Sequence, residues 1–297
     1  GTVGAMNKAA VPSVQQDSAA AGQYSSTNVQ VAGVDEADLI KTDGSYIYQL
    51  SNDSLIITRA LPANQMKVMS RLQFSDTSFS PADFYIHENS LVLIGSARLE
   101  AVPQQPLQPS MEKRFMPPYH TRETTTRVII YDCSDKSKLV KTRELEVKGN
   151  YLSSRRIGQT LYLISNDSIR YYASEDTVPL PAFRDTAAGE AFVTIPCEKI
   201  RYFPDCGYHS YLIAAALEID QPRKAAQVDS YLGSAENVYA SSNNIYIALP
   251  AVSKPTVVRD SAMTEQPQNT TQIFQFHLND QKISYAACGS VPGQILN

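Results

Sequence analysis

Short segments in which apolar and polar residues alternate recur along this chain. The alternation is clearest at residues 46–50 and 273–278, and a period of two is typical of half-buried β-strands. No segment carries an apolar stripe of helical period over more than two turns. The pattern therefore predicts an all-β protein.

A unit of three predicted strands occurs four times. Its first part is a polar turn followed by an aliphatic and aromatic strand, at residues 42–50, 87–95, 157–165 and 241–249. Its second part is a longer strand, at residues 55–61, 128–134, 212–220 and 273–280. Its third part begins at a lysine, at residues 67–74, 138–147, 224–233 and 282–290. A strand unit repeated at this scale predicts a β-propeller with about four WD40-like blades in view.

The starts of the four units are separated by 45, 70 and 84 residues. The first spacing is close to the roughly 40–45 residues of a four-stranded blade, and insertions at residues 99–127, 173–209 and 251–271 account for the longer spacings. Each insertion follows the first predicted strand of its unit, so we expect all three on one rim of the propeller. Two arrangements stay open here: four blades that close as a small ring, or an incomplete ring.

A repeated tetrapeptide leaves one strand assignment open. Ser-Asn-Asp-Ser occurs at residues 51–54 and 165–168, and Asn-Asp suits a tight hairpin turn. By that register the next strand of the third unit is residues 169–172 rather than 212–219. Both segments stay candidates.

The run STNVQVAGVDEADLIKTDGSYIY at residues 26–48 resembles the opening of a family of secreted bacterial and archaeal β-propeller proteins distantly related to WD40 repeats. The residues that match the family pattern are Thr27, Asn28, Gln30, Gly33, Asp35, Glu36, Asp38, Lys41, Thr42, Asp43, Gly44 and Tyr48. Residues 230–248 and 289–297 are similar to later family segments. The resemblance implies a propeller fold and a secreted or cell-surface location, and it brings no catalytic residues. Because family domains usually continue further, the chain resembles the N-terminal portion of such a domain.

Composition excludes some classes of partner. The formal net charge is −4, and lysine and arginine are scattered, so we expect no nucleic-acid binding. No apolar run approaches the roughly 18 residues that span a bilayer, and no signal peptide is visible.

Residues 1–23, rich in Ala, Ser and Gln, predict a flexible linker before a propeller domain at residues 24–297. Membrane or wall attachment is expected only through a preceding segment.

The densest group of carboxylates comprises Asp35, Glu36, Asp38 and Asp43. One interpretation is a cation site, because Ca²⁺ takes oxygen ligands from such loops. The other is structural: the acids cap turns and pair with Lys41. The spacing lacks the DxDxDG order of a known calcium loop, which favours the structural interpretation.

Two further sets of residues are candidates for local roles. Tyr119, His120 and His209 lie in the insertions and are candidate contacts on the shared rim. Cys197 and Cys206 bracket a short loop containing proline, which makes them candidates for a disulfide. The alternative for the cysteines is four free, partly buried thiols.

The chain lacks the GxSxG nucleophile motif and any Gly-rich phosphate loop, so we expect no catalytic residues and no cofactor. The predicted function is an extracytoplasmic binding module that recognises a protein, peptide or glycan through the rim loops. One alternative is an extracellular hydrolase or lyase that uses His120, Glu123, Asp205 and His209 at the rim. Another is a structural spacer.

Overall fold

A computed structural model of the 297-residue chain describes residues 31–74, 78–99, 123–169, 179–203, 210–252, 269–279 and 282–295. These residues form twenty strands, numbered β1 to β20 in chain order, which assemble into four sheets. The prediction of an all-β chain is confirmed by this architecture.

Each sheet contains a blade of four strands in an antiparallel meander. Blade 1 consists of β2 (Ile40–Thr42), β3 (Tyr46–Leu50), β4 (Ser54–Arg59) and β5 (Lys67–Gln73). Blade 2 consists of β6 (Phe79–His87), β7 (Ser90–Leu99), β8 (Glu123–Asp132) and β9 (Val140–Lys148). Blade 3 consists of β10 (Asn150–Ile157), β11 (Thr160–Ser168), β15 (Ser210–Glu218) and β16 (Gln227–Leu232). Blade 4 consists of β17 (Asn237–Ala240), β18 (Asn244–Val252), β19 (Asn269–Asn279) and β20 (Lys282–Pro292).

The repeated unit of the sequence corresponds to the second, third and fourth strands of each blade. The first strand was missed in all four blades. Two of these strands, β2 and β17, have only three and four residues, too few for a clear period. A third, β10, has the polar sequence NYLSSRRI, because its serine and arginine side chains enter hydrogen bonds rather than an apolar core.

The blades pack on one another in chain order through three apolar clusters. The cluster between blades 1 and 2 includes Tyr48, Leu55, Phe84 and Leu93. The cluster between blades 2 and 3 includes Val92, Ile130, Leu163 and Ile213. The cluster between blades 3 and 4 includes Ile164, Tyr231, Ile247 and Phe276. No cluster formed by the described residues joins blade 4 to blade 1, so these residues form an arc of four blades.

The N-terminal segment pairs with blades 3 and 2 before it enters blade 1. Strand β1 (Val34–Asp35) pairs antiparallel with β10 of blade 3, where Asp35 lies opposite Arg156. Asp38 then forms a bridge with Phe84 in β6 of blade 2, and the chain continues into β2 of blade 1. Residues 34–42 therefore link the first strands of blades 3, 2 and 1.

The second insertion supplies strands that cover the outer edges of two blades. Strand β12 (Ala182–Asp185) pairs with β9, the fourth strand of blade 2, and β13 (Val193–Thr194) extends this hairpin. Strand β14 (Arg201–Tyr202) adds in parallel to β16, the fourth strand of blade 3. The insertion therefore has a structural role beside any role in binding.

The two copies of Ser-Asn-Asp-Ser adopt different structures. Ser51, Asn52 and Asp53 form the tight turn that the sequence suggests. Residues 165–168 instead continue β11 and pair with β15 from Ser165↔Ile213 to Ser168↔Ser210. The strand of blade 3 that follows β11 is therefore the segment at residues 212–219 rather than residues 169–172. Of residues 169–172, only Ile169 belongs to the described residues.

Candidate functional site

Three long connections leave the propeller at equivalent positions. In blades 2, 3 and 4 the residue that ends the second strand pairs directly with the residue that begins the third: Leu99↔Glu123, Ser168↔Ser210 and Val252↔Asn269. Because strands in a meander alternate in direction, all three connections lie at the same end of their blades. We call this end the insertion rim and the opposite end the turn rim. The described ends of the three insertions thus lie at one rim, as the sequence predicted.

Blade 1 carries only the short turn Ser51, Asn52 and Asp53 at the insertion rim, and a cleft of about 600 Å³ opens there. Its apolar walls come from Leu39 and Leu50 of blade 1 and from Pro81 and Ala82 of blade 2, and the turn supplies polar groups. Leu39 is 52 % exposed although it is a large aliphatic residue. The cleft therefore offers apolar surface, one hydroxyl, one amide and one carboxylate at the insertion rim.

The carboxylates of the acidic segment point to cationic partners within the chain. Asp35 accepts hydrogen bonds from Lys41 Nζ at 2.9 Å and from Arg156 Nε at 3.0 Å, and it lies 2.9 Å from Arg156 Nη2. Glu36 lies 3.6 Å from Arg155 Nη2. Lys41 is 8 % exposed and donates a further bond to the Glu36 carbonyl at 2.7 Å. These pairs fix β1 against blade 3 and against the start of blade 1.

Asp38 and Asp43 bond to nearby backbone, and Asp43 also lies 3.8 Å from Lys136 Nζ. The side chain of Asp38 accepts the Leu39 N–H at 2.7 Å. Asp43 accepts the N–H groups of Ser45 and Tyr46 at 3.0 and 2.8 Å, which closes the turn between β2 and β3. Its second oxygen accepts the Tyr48 hydroxyl at 2.7 Å. Burial, together with this bond to Asp43, raises the pKa of Tyr48 far above its usual value.

No group of three or more potential metal ligands occurs among the residues that the structure describes. The four acidic residues singled out from the sequence are divided between an ion-pair network and two turn caps, and their oxygens face partners of this chain. The structural interpretation agrees with every contact described here.

The other sequence candidates fall largely on parts of the chain outside the described residues. Tyr119, His120 and His209 lie there, as does Asp205, so their contacts on the rim stay predictions. Glu123 begins β8 and pairs with Lys148 at 2.8 Å. Cys197 is exposed at a short 3-10 turn, and Cys206 lies outside the described residues, so the disulfide also stays a prediction.

Sequence reasoning missed a hydroxyl network between blades 2 and 3. The Tyr85 hydroxyl lies 2.9 Å from Ser154 Oγ, and this oxygen lies 2.8 Å from the Tyr151 hydroxyl, which donates to Asp83 at 2.9 Å. Burial raises the pKa of Tyr85 and Tyr151 well above the usual range, and Asp83 adds to the effect at Tyr151. Both phenols are therefore neutral at physiological pH, which suits a structural network and not a phenolate nucleophile.

A second network lies where the insertion hairpin meets blade 2. Arg184 of β12 donates to Glu144 and to Glu146 of β9, and Arg127 of β8 donates to Glu146 at 3.1 Å. Burial opposes ionisation of Glu146, but bonds from Thr125, Arg127 and Arg184 outweigh it and lower its pKa. The alternating charges of residues 140–148 were the only signal in the sequence, and they did not identify the partners.

The sequence matches the family described as "Beta propeller domain" over residues 24–297. The chain belongs to this β-propeller family. An uncharacterized protein of Archaeoglobus fulgidus is 24% identical over 271 residues, which cover 82% of this chain and 35% of that protein. The uncharacterized protein MJ1554 of Methanocaldococcus jannaschii is 25% identical over 142 residues, which cover 48% of this chain and 17% of that protein.

The chain thus spans about a third of the length of the first of these relatives and about a sixth of the second. No solved structure matches it. Among the described residues no helix is long and apolar enough to cross a membrane. The β-propeller family membership fits a role as an interaction or binding module.

Proposed function

We propose that this β-propeller domain is an extracytoplasmic binding module that recognises a protein, peptide or glycan through its insertion rim. The observation that supports the proposal most is the shared position of the three insertions. They leave from paired residues at the same end of three successive blades, for example Leu99↔Glu123. Rigid scaffolds that gather long loops on one face commonly use that face for recognition.

The cleft at blade 1 strengthens this proposal. Because blade 1 has a three-residue turn where the other blades have insertions, the Leu39 side chain is exposed there, while Leu50 and Pro81, which also line the cleft, are buried. Binding sites of this kind combine apolar surface with a few polar groups that orient the ligand. Here the polar groups are the side chains of Ser51, Asn52 and Asp53, among which the Ser51 hydroxyl donates to Asp53 at 3.1 Å.

The state of the buried polar groups favours binding over catalysis. A general acid or base needs a proton-donating or proton-accepting group that is free to reach a substrate. In the networks described above, Glu144 and Glu146 are paired with guanidinium groups, and Tyr85 and Tyr151 are buried phenols. These residues are committed to packing the blades together.

The test compares loop variants on the two rims. A glycan array and a displayed random-peptide library serve as probes, and each hit is measured again on the variants. In the rim variants, residues 102–120 or residues 254–267 are replaced by a linker of about four Gly and Ser residues. The strand pairs Leu99↔Glu123 and Val252↔Asn269 flank the replaced loops, so the blades keep their registers.

The matched control replaces residues 63–65 by Gly-Ser-Gly. These residues form a short 3-10 turn on the turn rim and bury no side chain. We expect at least one rim variant to bind the hits at least tenfold more weakly and the control to bind unchanged. Full binding by both rim variants, or loss in the control alone, would overturn the proposal. The extracytoplasmic location has a separate test, in which a membrane-impermeant reagent labels intact cells. If the protein is not labelled, the proposed location is wrong, and the proposed binding surface is unaffected.

A further inference from the structure

The outer edges of the four blades differ in how they are covered. The fourth strands of blades 2 and 3 pair with β12 and β14 from the second insertion. The fourth strands of blades 1 and 4, β5 and β20, pair on one side only among the described residues. An uncovered edge presents backbone N–H and C=O groups to solvent, and these can template pairing with another strand.

The two uncovered edges have different chemistry. Strand β5 has seven residues and carries Lys67 and Arg71, the kind of charge that discourages pairing between edges. Strand β20 has eleven residues, and all of them except Ile283 are exposed. Its one charged residue is Lys282, at its start. Strand β20 therefore lacks the charges that protect β5.

A bulge divides β20 and defines the segment that can accept a partner. The register with β19 shifts between Gln275 and Phe276, which leaves Ala286 without an opposite residue. Beyond the bulge the pairing is regular from Ala287 to Pro292. Side chains there are small, and no atom lies within 4 Å of a Cβ built on Gly289. A second strand can therefore approach Gly289 closely.

We propose that residues 287–291 of β20 pair antiparallel with the same residues of a second copy of this chain, about a two-fold axis at Gly289. In this arrangement Ala287 lies opposite Val291, and Gly289 lies opposite itself. A self-pairing interface of this kind closes after two copies. The partner is a second copy because self-pairing here brings no like charges together. Lys282 lies about 24 Å from the axis along the strand, at ~3.4 Å per residue.

The proposal does not depend on what completes the ring. The fourth strand of a blade lies at the outside of a propeller, away from the faces on which neighbouring blades pack. Pairing through β20 would join two propellers edge to edge and leave both insertion rims accessible. It would also give each ligand-binding surface a second copy within one assembly, which increases the apparent affinity for a ligand that repeats its binding motif.

The test measures mass against concentration for the parent chain and for charge variants at the axis. Sedimentation equilibrium of the parent should show an average mass that rises from 32.7 kDa towards twice that value. Gly289→Lys and Gly289→Glu each place like charges across the axis, and the open space around Gly289 keeps the monomer folded. We expect each variant alone to dimerise at least tenfold more weakly.

Mixing the two variants provides the decisive comparison. Lysine and glutamate then face each other across the axis, so the mixture should regain an affinity within about threefold of the parent. Val68→Lys, on the other uncovered edge where Val68 is 58 % exposed, is the matched control and should dimerise like the parent. A parent that stays monomeric at all concentrations overturns the proposal. So does a Gly289→Lys variant that dimerises normally, or a mixture that stays as weak as its components.

Discussion

Removing the Asp185 carboxylate tests how the second insertion is held to the propeller. Arg143 of β9 donates from Nε and Nη2 to the two carboxylate oxygens of Asp185 in β12, at 3.1 and 2.8 Å. Their side chains are 0 % and 1 % exposed. Arg143 also donates to the carbonyl oxygens of Glu218 and Gln221 at 3.2 and 3.4 Å. One buried guanidinium thus links blade 2, the insertion and the end of β15 in blade 3.

Asp185→Asn should lower the free energy of unfolding by about 3–5 kcal/mol, because it leaves the buried charge of Arg143 without its counter-ion. Urea denaturation measures this loss. At about 2–4 °C per kcal/mol for a chain of this size, the melting temperature should fall by roughly 10 °C. The double variant Arg143→Met, Asp185→Leu removes both charges and should recover part of the loss, because an apolar pair avoids the cost of a lone buried ion while the N–H groups of Ala187 and Ala226 lose their acceptor.

An exposed pair provides the control. Glu123 and Lys148 lie 2.8 Å apart, but Glu123 is half exposed, so Glu123→Gln should cost less than about 1 kcal/mol. If Asp185→Asn costs no more than Glu123→Gln, the insertion hairpin is not a stabilising part of the propeller. The argument that this insertion has a structural role would then be wrong.

Three smaller predictions concern other parts of the fold. Gly95→Ala should lower the free energy of unfolding by about 3 kcal/mol, because the added Cβ would lie 2.2 Å from the Ser80 carbonyl oxygen. Urea denaturation measures this loss, and an unchanged midpoint would contradict the close approach. Tyr48→Phe should cost about 1.5 kcal/mol through loss of the 2.7 Å bond to Asp43, measured in the same way, and a neutral effect would show that the bond adds nothing. Burial acts to raise the pKa of Asp185, but bonds from Arg143 and from two backbone N–H groups outweigh it and lower the pKa. The Asp185 carboxyl therefore binds a proton more readily in the unfolded chain than in the folded chain. Its contribution to the free energy of unfolding is full above about pH 5. This contribution is lost as the pH falls through the pKa of Asp185 in the folded protein, which lies below the usual 3.8. Melting temperatures from pH 3 to 7 should fall at the acid end, and the fall should be smaller in Asp185→Asn.

The sequence allowed three strands of each blade to be predicted, because their apolar and polar residues follow a clear pattern. Strand β6 was missed although Phe84 and Tyr85 are buried, and a bulge between Pro81 and Asp83 interrupts its alternation. The three strands of each repeated unit and the shared position of the insertions followed from that pattern. Strands whose side chains are used in polar contacts gave no such signal: Ser154 and Arg156 in β10 belong to hydrogen-bond networks. Repeated letters also misled where the environment differed, since Ser165 is fully buried in β11 while Ser51 lies in an exposed turn.

The polar networks were beyond prediction for a different reason. Arg143 and Asp185 are 42 residues apart and meet only because the second insertion folds back on blade 2. The acidic segment shows the same limit, because its density suggested a cation site while its partner Arg156 lies 121 residues further along the chain. Local density of charge shows that a network exists and cannot show which residues complete it.

The most direct test of the binding rim is a hydrogen–deuterium exchange footprint of the chain with and without the best hit from the glycan or peptide screen. We predict slower exchange at the insertion rim, at the turn of residues 51–53 and beside the flanking pair Leu99↔Glu123. The turn rim, at residues 43–45, 88–89 and 158–159, should exchange as before. Protection confined to the turn rim would contradict the assignment of the binding surface.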